Sequence, residues 1–274
     1  MKVAIVGCGY VGCAVASYWQ QELGFAVTAT TTTPERVPAL ESIAQRVVVI
    51  KGNDPEGLQS VLQGQDTILL SVGAANPNVY EETYLQTAQT LVSLLKQLGT
   101  VRQLIYTGSY AVYGDRDGAW VEEASAVAPA TPNGQILYDT EQVLLSASTE
   151  DLTVSILRLG GIYGPGRELV KIFSRVAGTT RPGDGDDETN WIHLDDVVAA
   201  IEFVRRHRLQ GIYNLVDDAR LTSGELLDRV CEQHGLPKVL WNPSAPKIRP
   251  YNARVSNQKI KAAGYQLIHP RTVI

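Results

Sequence analysis

The residues Met1–Gly12, with the sequence MKVAIVGCGYVG, give the strongest indication of the fold of this chain. Val3–Val6 is a short, largely β-branched apolar run of the kind found in strands buried on both faces. Glycines in the spacing G-x-G-x-x-G follow at once, and small and apolar residues at helical spacing come next. A glycine turn between a buried strand and a helix lets the backbone approach a pyrophosphate at the helix N-terminus. The sequence therefore predicts a dinucleotide-binding site here.

The composition of the chain restricts its class. The chain has 274 residues, 44% of them hydrophobic, which is enough for one large core and a small additional lobe. A net charge of -5 without a basic run argues against nucleic acid and membranes as partners. The 3 cysteines lack metal-ligand spacing and favour a cytoplasmic location over a disulfide framework. Cys8, in the glycine turn, is either a thiol with a lowered pKa or a small residue that fills the turn.

The end of the second predicted strand indicates which dinucleotide is bound. In dinucleotide-binding folds an acidic residue at this position holds the ribose hydroxyls of NAD. Here Phe25–Thr30 continues into Thr31–Thr33 without a carboxylate, and Arg36 follows within one helical turn. Nothing at this strand end repels a 2′-phosphate, so the sequence favours NADP, with NAD as the alternative. Thr33 and Pro34 also fit the start of a helix over 34–44, and the two roles are compatible.

Strands alternate with helices along most of the chain. Strands are predicted at 46–50, 67–72, 103–107, 153–159 and 212–216, and helices at 57–62, 79–98, 135–147 and 197–207. This alternation predicts an α/β fold with a Rossmann-type doubly wound parallel sheet, whose ligand lies across the carboxyl ends of the strands. The predicted cofactor-binding residues are Gly7, Cys8, Gly9, Tyr10, Val11, Gly12, Thr30, Thr31, Thr32, Arg36, Asn53, Asp54, Val72, Gly73, Ala74 and Thr107.

Four segments of the chain resemble the extended short-chain dehydrogenase/reductase family, which includes nucleotide-sugar epimerases and dehydratases. They follow the family's order: YTGSYAVYG at 106–114, LRLGGIYGPGR at 157–167, WIHLDDV at 191–197 and YNLVDD at 213–218. The spacing of the opening glycines is more similar to the atypical members of that family. The resemblance implies a nucleotide-sugar or a small polar carbonyl compound as substrate. It also implies a homodimer formed through the helices 79–98 and 135–147.

The resemblance also sets the expected domains. Residues 1–160, with 190–217 returning to them, form the NAD(P)-binding Rossmann domain, and residues 161–189 and 218–274 form a small C-terminal substrate lobe. The substrate contacts implied are Tyr110, Arg167 and Arg249, the last within the segment Ile248-Arg249-Pro250. A solvated surface arginine is the alternative for Arg167. The acidic run at 184–188 lacks the spacing of a calcium loop, so no metal is predicted.

The catalytic residues of the family are a Ser or Thr, a Tyr that acts as acid and base, and a Lys four residues after the Tyr on one helix face. Ser109 stands at the family's Ser position. The helical pair is missing, because alignment on Glu141 places Asn133 at the Tyr position and Leu137 at the Lys position. No lysine occurs between positions 96 and 171, so no small shift of the alignment restores one.

Three hypotheses for the chemistry therefore stay open. In the first, Tyr138, Tyr110 or Tyr113 donates the proton with another cation, although Tyr138 lies ~140° around the helix from Asn133. In the second, Ser109 acts while Asn133 orients a substrate hydroxyl. In the third, the protein is catalytically silent and serves as a nucleotide-sensing or scaffolding module.

Histidines and helix caps in the second half of the chain receive structural interpretations. His193 is interpreted as a hydrogen-bonded structural residue, with a catalytic role as the alternative. Asp195 and Asp196 are expected to cap the following helix. The pattern at 222–225 predicts a capping box for a helix that runs to His234, and His269 receives no role.

Overall fold

The computed structural model describes residues 1–247 and 249–274, and these form two compact units. The first unit comprises Met1–Ser109, Pro132–Arg158 and Val198–Tyr213, and the second comprises Tyr110–Thr131, Leu159–Val197 and Asn214–Ile274. The stretch 110–131 thus lies in the second unit, whereas the sequence analysis counts it with the Rossmann domain. The assignment of cofactor and substrate roles to two domains stays a prediction. Ile248, quoted above in the segment around Arg249, lies outside the described residues.

The strands of the described residues, in chain order, are β1 (Lys2–Val6), β2 (Ala26–Thr31), β3 (Arg46–Val49), β4 (Thr67–Leu70), β5 (Gln103–Ser109), β6 (Trp120–Val121), β7 (Thr153–Leu159), β8 (Gly161–Tyr163), β9 (Thr180–Pro182), β10 (Trp191–His193), β11 (Gly211–Leu215), β12 (Leu240–Asn242) and β13 (Arg254–Val255). A 7-stranded sheet has the order β3-β2-β1-β4-β5-β7-β11, and β1 to β5 pair in parallel. This is the doubly wound order of Rossmann folds with one strand added. The predicted fold class is confirmed.

The α-helices of the described residues are α1 (Tyr10–Ser17), α2 (Val37–Leu40), α3 (Pro55–Leu62), α4 (Thr87–Leu95), α5 (Pro132–Leu145), α6 (Leu169–Phe173), α7 (Leu194–His207), α8 (Ser223–Gln233) and α9 (Gln258–Ala262). The helix expected over 34–44 is wrong in length: a 3-10 turn at Pro34–Arg36 precedes the short α2. Pro38 lacks the N–H that a regular helix would donate to Pro34, and Thr33 makes no capping bond with its side chain. None of the described helices is long and apolar enough to cross a membrane.

One face of the central sheet packs against α3 and α4 to form the main core of the first unit. Both helices carry leucines and valines at helical spacing, so that each helix presents an apolar stripe to the sheet. Burial of each such side chain contributes roughly 1.5–3 kcal/mol. The fully buried members of this core include Ala4, Leu58, Val61, Leu62, Ile68, Leu70, Leu91, Leu104, Val154 and Ile156.

A buried ion pair joins α5 to the sheet. The carboxylate of Glu141 accepts from Arg158 Nε at 3.1 and 3.2 Å and from Nη2 at 2.7 Å. Both side chains are 1% exposed. Burial raises the pKa of Glu141, and the hydrogen bonds and charge of Arg158 oppose that rise. The guanidinium therefore offsets part of the cost of burying this carboxylate in the core.

The second unit is organised by three short parallel strand pairs, β8 with β10, β9 with β12, and β6 with β13. The predicted capping box is confirmed: Thr222 accepts from the Glu225 N–H at 3.2 Å, and Glu225 accepts from the Thr222 N–H at 2.9 Å.

The last residues of the chain are held in the second unit by buried acceptors. Asp196 accepts from the N–H groups of Ile268 at 2.7 Å and His269 at 2.9 Å. Thr272 donates to Asp217 at 2.6 Å. The expectation that Asp195 and Asp196 cap the helix from outside is wrong, because α7 begins at Leu194 and both lie in its first turn. Asp196 instead anchors the C-terminal segment.

Candidate functional site

A cleft of about 350 Å³ opens in the first unit where β1, β2 and β4 end. We call it the first-unit cleft. Parallel strands place their carboxyl ends at one edge of the sheet, so the segments that follow these strands meet here. The predicted residues that line it are Gly7, Cys8, Gly9, Thr30, Thr31, Thr32, Arg36, Asn53, Val72 and Gly73. The residues that sequence reasoning missed include Thr33, Lys51, Ser71, Glu82, Thr83 and Thr87.

The glycines of the turn are needed for two different reasons, the packing of the turn itself and the space for a ligand. A Cβ on Gly7, whose φ is +89°, would lie 2.7 Å from the carbonyl oxygen of Ser71. A Cβ on Gly12 would lie 2.6 Å from the carbonyl oxygen of Gly7, so these two glycines are required by the packing of the turn itself. A Cβ on Gly9 would meet no atom within 4 Å, although Gly9 lines the cleft. The space above Gly9 fits a group that must approach the backbone, as a pyrophosphate does.

The end of β2 is tied to this turn. The hydroxyl of Thr30 accepts from the Gly7 N–H at 2.9 Å, and the Thr30 carbonyl accepts from the Cys8 N–H at 2.8 Å. Thr31 accepts from the Thr33 N–H at 3.1 Å. Thr30 and Thr31 are therefore partly engaged in holding the backbone, whereas Thr32 is an exposed residue of the cleft wall.

The charges around the first-unit cleft are mostly positive. Arg36 is exposed and donates from Nη2 to the sulfur of Cys13 at 3.2 Å. Lys51, which follows β3, pairs with Glu82 at 2.7 Å. Within the described part of the chain, Glu82 is the only carboxylate in the lining. Lys51 could have been found from the sequence by the rule that residues after a parallel strand line the ligand edge.

Six predicted cofactor residues do not line the cleft: Tyr10, Val11, Gly12, Asp54, Ala74 and Thr107. Asp54 caps α3 by accepting from the Gly57 N–H at 3.2 Å. Thr107 donates to Ser71 at 3.1 Å, behind the lining residue. Ala74 turns its N–H toward the Tyr84 hydroxyl at 3.4 Å. For Asp54 and Thr107 the side chain serves the local fold.

The two thiols near the turn, Cys8 and Cys13, differ in burial and in the direction of their pKa shifts. Cys8 is buried, and its contact with Cys13 and its burial raise the pKa of the Cys8 thiol. Burial and the second sulfur therefore oppose a lowered pKa of Cys8 and favour the alternative, a small buried residue that fills the turn. Cys13 has the lowered value: contact with Cys8, together with the Arg36 charge, brings the pKa of Cys13 to about 6.

The helix α5 carries the positions where the family holds its Tyr and Lys. Asn133 and Tyr138 are half-buried, and Leu137 is buried. The sequence of α5 is PNGQILYDTEQVLL, so no residue of this helix is a cation. Ser109 is the last residue of β5. The helix on which the family carries its Tyr and Lys is therefore present, but this helix has no lysine. The roles of Ser109, Asn133 and Tyr138 stay predictions.

A cavity of about 370 Å³ lies in the second unit. We call it the second-unit cavity, and its lining includes Phe173, Arg181, Trp191, Trp241 and Arg249. Aromatic faces beside guanidinium groups suit a ligand with a planar ring and a negative charge. Arg181, the middle residue of β9, was not singled out from the sequence.

The three predicted substrate residues separate into a pair and a single residue. Arg249 donates to the Tyr110 hydroxyl and, at 2.8 Å, to the carbonyl of Glu188. Burial raises the pKa of Tyr110 to about 12, so this phenol is protonated at neutral pH. Arg167 lies in the turn closed by its backbone bonds to Gly164. It is not part of the second-unit cavity among the described residues.

A second cavity of the same unit, of about 380 Å³, surrounds Trp120. The guanidinium groups of Arg220 and Arg254 lie 5.1 and 5.4 Å from the Trp120 ring centre. Asp217 also lines this cavity. Burial raises the pKa of Asp217 to about 7, against hydrogen bonds from Thr272 and the backbone.

His193 belongs to a cluster that the sequence did not predict. Its Nδ1 lies 3.3 Å from a carboxylate oxygen of Asp195, and His269 Nε2 lies 3.1 Å from the same oxygen. The two imidazole rings are 4.0 Å apart. His269, which received no role from the sequence, is thus a partner of Asp195. The ligand atoms of these three side chains lie within 4.8 Å of one another, close enough to hold a metal ion. The Asp195 N–H donates to His193 Nδ1 at 3.2 Å and His269 is hydrogen-bonded to the Asp195 carboxylate, so these contacts already account for the cluster.

Comparison with known proteins identifies the family of this chain. Residues 3–215 match the NAD dependent epimerase/dehydratase family, so the chain belongs to that family. Protein YeeZ of Escherichia coli K12 is 34% identical over 221 residues, which cover 78% of this chain and 77% of that protein.

Two solved structures share the fold. The dTDP-glucose 4,6-dehydratase of Bacillus anthracis in complex with NAD has a TM-score of 0.81 at 19% identity, covering 98% of this chain and 92% of that one. The UDP-glucose 4-epimerase of Thermus thermophilus in complex with NAD has a TM-score of 0.79 at 23% identity, covering 98% and 94%.

Proposed function

We propose that the first-unit cleft binds NADP in preference to NAD. The observation that carries this proposal is the charge pattern at the end of β2, where Arg36 lines the cleft. The strand itself ends in threonines, and Glu35, the carboxylate next in sequence, is not among the described lining residues. A carboxylate at this position would hold ribose hydroxyls and repel a 2′-phosphate. A guanidinium forms charge-assisted bonds to phosphate oxygens. Glu82, the carboxylate of the described lining, is already paired with Lys51.

The substrate we propose is a nucleotide-sugar, with a small polar carbonyl compound as the alternative. The two proteins of the same fold named above are a dTDP-glucose 4,6-dehydratase and a UDP-glucose 4-epimerase, both named for nucleotide-sugars. Arg181 and Arg249 supply charge for a diphosphate in the second-unit cavity, and Trp191 and Trp241 supply ring faces.

The chemistry we propose uses Ser109 as the group that holds the reacting oxygen. NADP supplies a hydride donor or acceptor when bound. Without a lysine, no residue of α5 lowers the pKa of a phenol, so proton transfer by a Tyr-Lys pair is not part of this mechanism. Asn133 can orient a substrate hydroxyl by hydrogen bonding, and Tyr138 is the alternative donor. The buried apolar Leu137 at the Lys position favours a second function, a nucleotide-sensing protein without turnover.

Titration with NADPH and NADH, followed by nicotinamide fluorescence and thermal shift, tests the cofactor proposal. The unmodified protein should bind NADPH more tightly than NADH. Arg36→Gln should weaken NADPH binding about 10–100-fold, because one or two charged hydrogen bonds are lost, and should leave NADH nearly unchanged. Arg46→Gln is the matched control, since Arg46 is exposed and bonds to Ser60 away from the cleft. Equal affinities for both nucleotides in the unmodified protein would contradict the proposal.

A turnover assay separates the two functions. The protein with NADPH is offered nucleotide-sugars and small carbonyl compounds, and absorbance at the nicotinamide band and the sugar products are measured. Ser109→Ala should abolish any turnover, whereas Tyr138→Phe should retain it if Asn133 orients the substrate. Tight NADPH binding with no turnover across the panel would favour the nucleotide-sensing function.

A further inference from the structure

The thiols Cys8 and Cys13 flank the N-terminus of α1 in a defined geometry. Gly9 is the N-cap of this helix, so Cys8 precedes the cap and Cys13 is the fourth residue after it. These are the positions where many helices carry an apolar pair that fixes the entry of the chain. The two sulfurs are 3.8 Å apart. Local helix geometry therefore brings the thiols into contact without any long-range constraint.

A third group distinguishes this pair from an ordinary apolar contact. Arg36 donates to the Cys13 sulfur at 3.2 Å. In its thiol form Cys13 donates to the carbonyl oxygen of Cys8 at 3.3 Å, a bond that is lost when the proton leaves. An apolar pair has no need of a guanidinium, whereas a thiolate is stabilised by one. Cys13 is half-buried, so a small reagent can reach it, while Cys8 is 1% exposed. The lowered pKa of Cys13, about 6, and the raised pKa of Cys8 agree with a reactive Cys13 and a buried, protonated Cys8.

We propose that Cys13 is a peroxide-reactive thiolate that Cys8 resolves to a disulfide, and that Arg36 is shared between this thiolate and the 2′-phosphate of a bound nucleotide. The sharing rests on the function proposed above for the first-unit cleft, while the thiol chemistry stands on the geometry of the two cysteines and Arg36.

The reaction with hydrogen peroxide proceeds in two balanced steps. The Cys13 thiolate attacks one peroxide oxygen, an S–O bond forms, the O–O bond breaks, and the leaving hydroxide takes a proton to become water. Sulfur is oxidised to sulfenic acid and the peroxide is reduced. The Cys8 sulfur then attacks the Cys13 sulfur, an S–S bond forms, the S–O bond breaks, and the oxygen leaves as a second water with the Cys8 proton. The two sulfurs, 3.8 Å apart in the reduced protein, must approach to ~2.05 Å for this bond to form.

Sharing of Arg36 couples the thiol to the nucleotide. A 2′-phosphate that takes the guanidinium removes the cation from Cys13 and places negative charge beside Arg36. The thiolate is then less stable and reacts more slowly at neutral pH. NADH lacks this phosphate and leaves Arg36 on the sulfur. The coupling is reciprocal, so the charge state of Cys13 alters the affinity for NADPH but has little effect on NADH.

The first experiment uses no nucleotide and therefore tests the thiol chemistry apart from the proposed function. The intact protein is treated with hydrogen peroxide and digested without reduction, and peptides are identified by mass spectrometry. A Cys8–Cys13 linkage is expected. Cys8→Ser should instead accumulate a sulfenic acid on Cys13 that dimedone traps. Cys231, which is 2% exposed on α8, is the internal control and should stay unmodified. Oxidation of Cys13 no faster than that of Cys231 would overturn the proposal.

The second experiment measures alkylation of Cys13 by iodoacetamide as a function of pH. The titratable and charged groups that face Cys13 are the Cys8 thiol and Arg36. The midpoint of the rate profile should lie near the low value given above, and Arg36→Gln should move it upward and slow alkylation at pH 7 about two- to fourfold. Arg46→Gln should leave the profile unchanged. An identical profile in Arg36→Gln would refute the role of the guanidinium.

Nucleotide is added last. Saturating NADPH should slow Cys13 alkylation to the rate of Arg36→Gln, and saturating NADH should slow it less. Equal protection by both nucleotides would refute the sharing of Arg36. If neither nucleotide binds, the function proposed for the cleft fails, and the peroxide result without nucleotide still decides the thiol chemistry.

Discussion

Removal of Arg158 should cost more stability than removal of any surface ion-pair partner in the first unit. Glu141 and Arg158 are 1% exposed and make three nitrogen–oxygen contacts of 2.7, 3.1 and 3.2 Å. Arg158→Met leaves the carboxylate buried without its cation, which costs about 3–5 kcal/mol. For a chain of this size that corresponds to a fall of about 10 °C in Tm. Arg102→Gln is the control, because its pair with Asp151 is exposed and contributes less than about 1 kcal/mol.

The pH dependence of that loss identifies its cause. Burial raises the pKa of Glu141 even with the guanidinium present. A raised pKa in the folded state means that stability is greatest below the unfolded pKa and falls as pH rises through the folded pKa. Without Arg158, nothing opposes the effect of burial, and the pKa of Glu141 in the folded state rises further. The loss of stability in Arg158→Met should therefore be smallest near pH 5 and largest near pH 8.

Urea unfolding followed by far-UV circular dichroism provides the measurement, with hydrogen exchange of α5 and β7 as a local probe. The double variant Glu141→Leu with Arg158→Met should recover most of the loss, since no buried charge remains. Our reasoning is refuted if Arg158→Met unfolds at the same urea concentration as the unmodified protein. It is also refuted if the loss increases on acidification.

Three further substitutions have expected outcomes. Gly7→Ala should destabilise the protein by about 1–3 kcal/mol and weaken nucleotide binding, because φ is +89° and the new Cβ would lie 2.7 Å from the Ser71 carbonyl; normal thermal unfolding would contradict this. Asp217, with a pKa raised to about 7 by burial, should make the protein lose stability as pH rises through neutrality. Asp217→Asn should flatten the plot of Tm against pH between about 5 and 8, and an unchanged slope would exclude this carboxyl as its source. Thr222→Ala removes one bond of the capping box and should cost about 1 kcal/mol in urea unfolding, whereas Thr222→Ser should restore it.

The alternation of strands and helices was readable from the sequence because each buried strand is a continuous apolar run bounded by turn residues. Such runs place the ligand edge without further information, which is why ten of the predicted cofactor residues line the first-unit cleft. The length of the helix predicted at 34–44 was wrong, because Pro38 and the turn after α2 limit the helix to Val37–Leu40. The predicted NADP preference, the domain roles and the homodimer through the helices 79–98 and 135–147 stay predictions.

Contacts between side chains from distant parts of the chain were the features that the sequence predicted least well. The Arg36 contact with Cys13 joins residues on two different elements, and periodicity gives no sign of it. The hydrogen bond between His269 and Asp195 was not predicted either, because the two residues are far apart in the sequence. Asp54 was misread because a polar residue after a strand can cap the next helix as readily as it can face a ligand. The same polar residue types form turns, cap helices and bind ligands, so the sequence alone does not distinguish these roles.

The interleaving of the two units along the chain has a consequence for synthesis on the ribosome. The strand β5 is complete by Ser109, but its neighbour β7 ends at Leu159 and β11 ends only at Leu215. A nascent chain of intermediate length therefore exposes an unpaired, apolar sheet edge, a surface that other chains and chaperones recognise. The second unit closes later still, when the segment held by Asp196 has emerged. Slow translation should prolong this vulnerable period and increase the demand for chaperones.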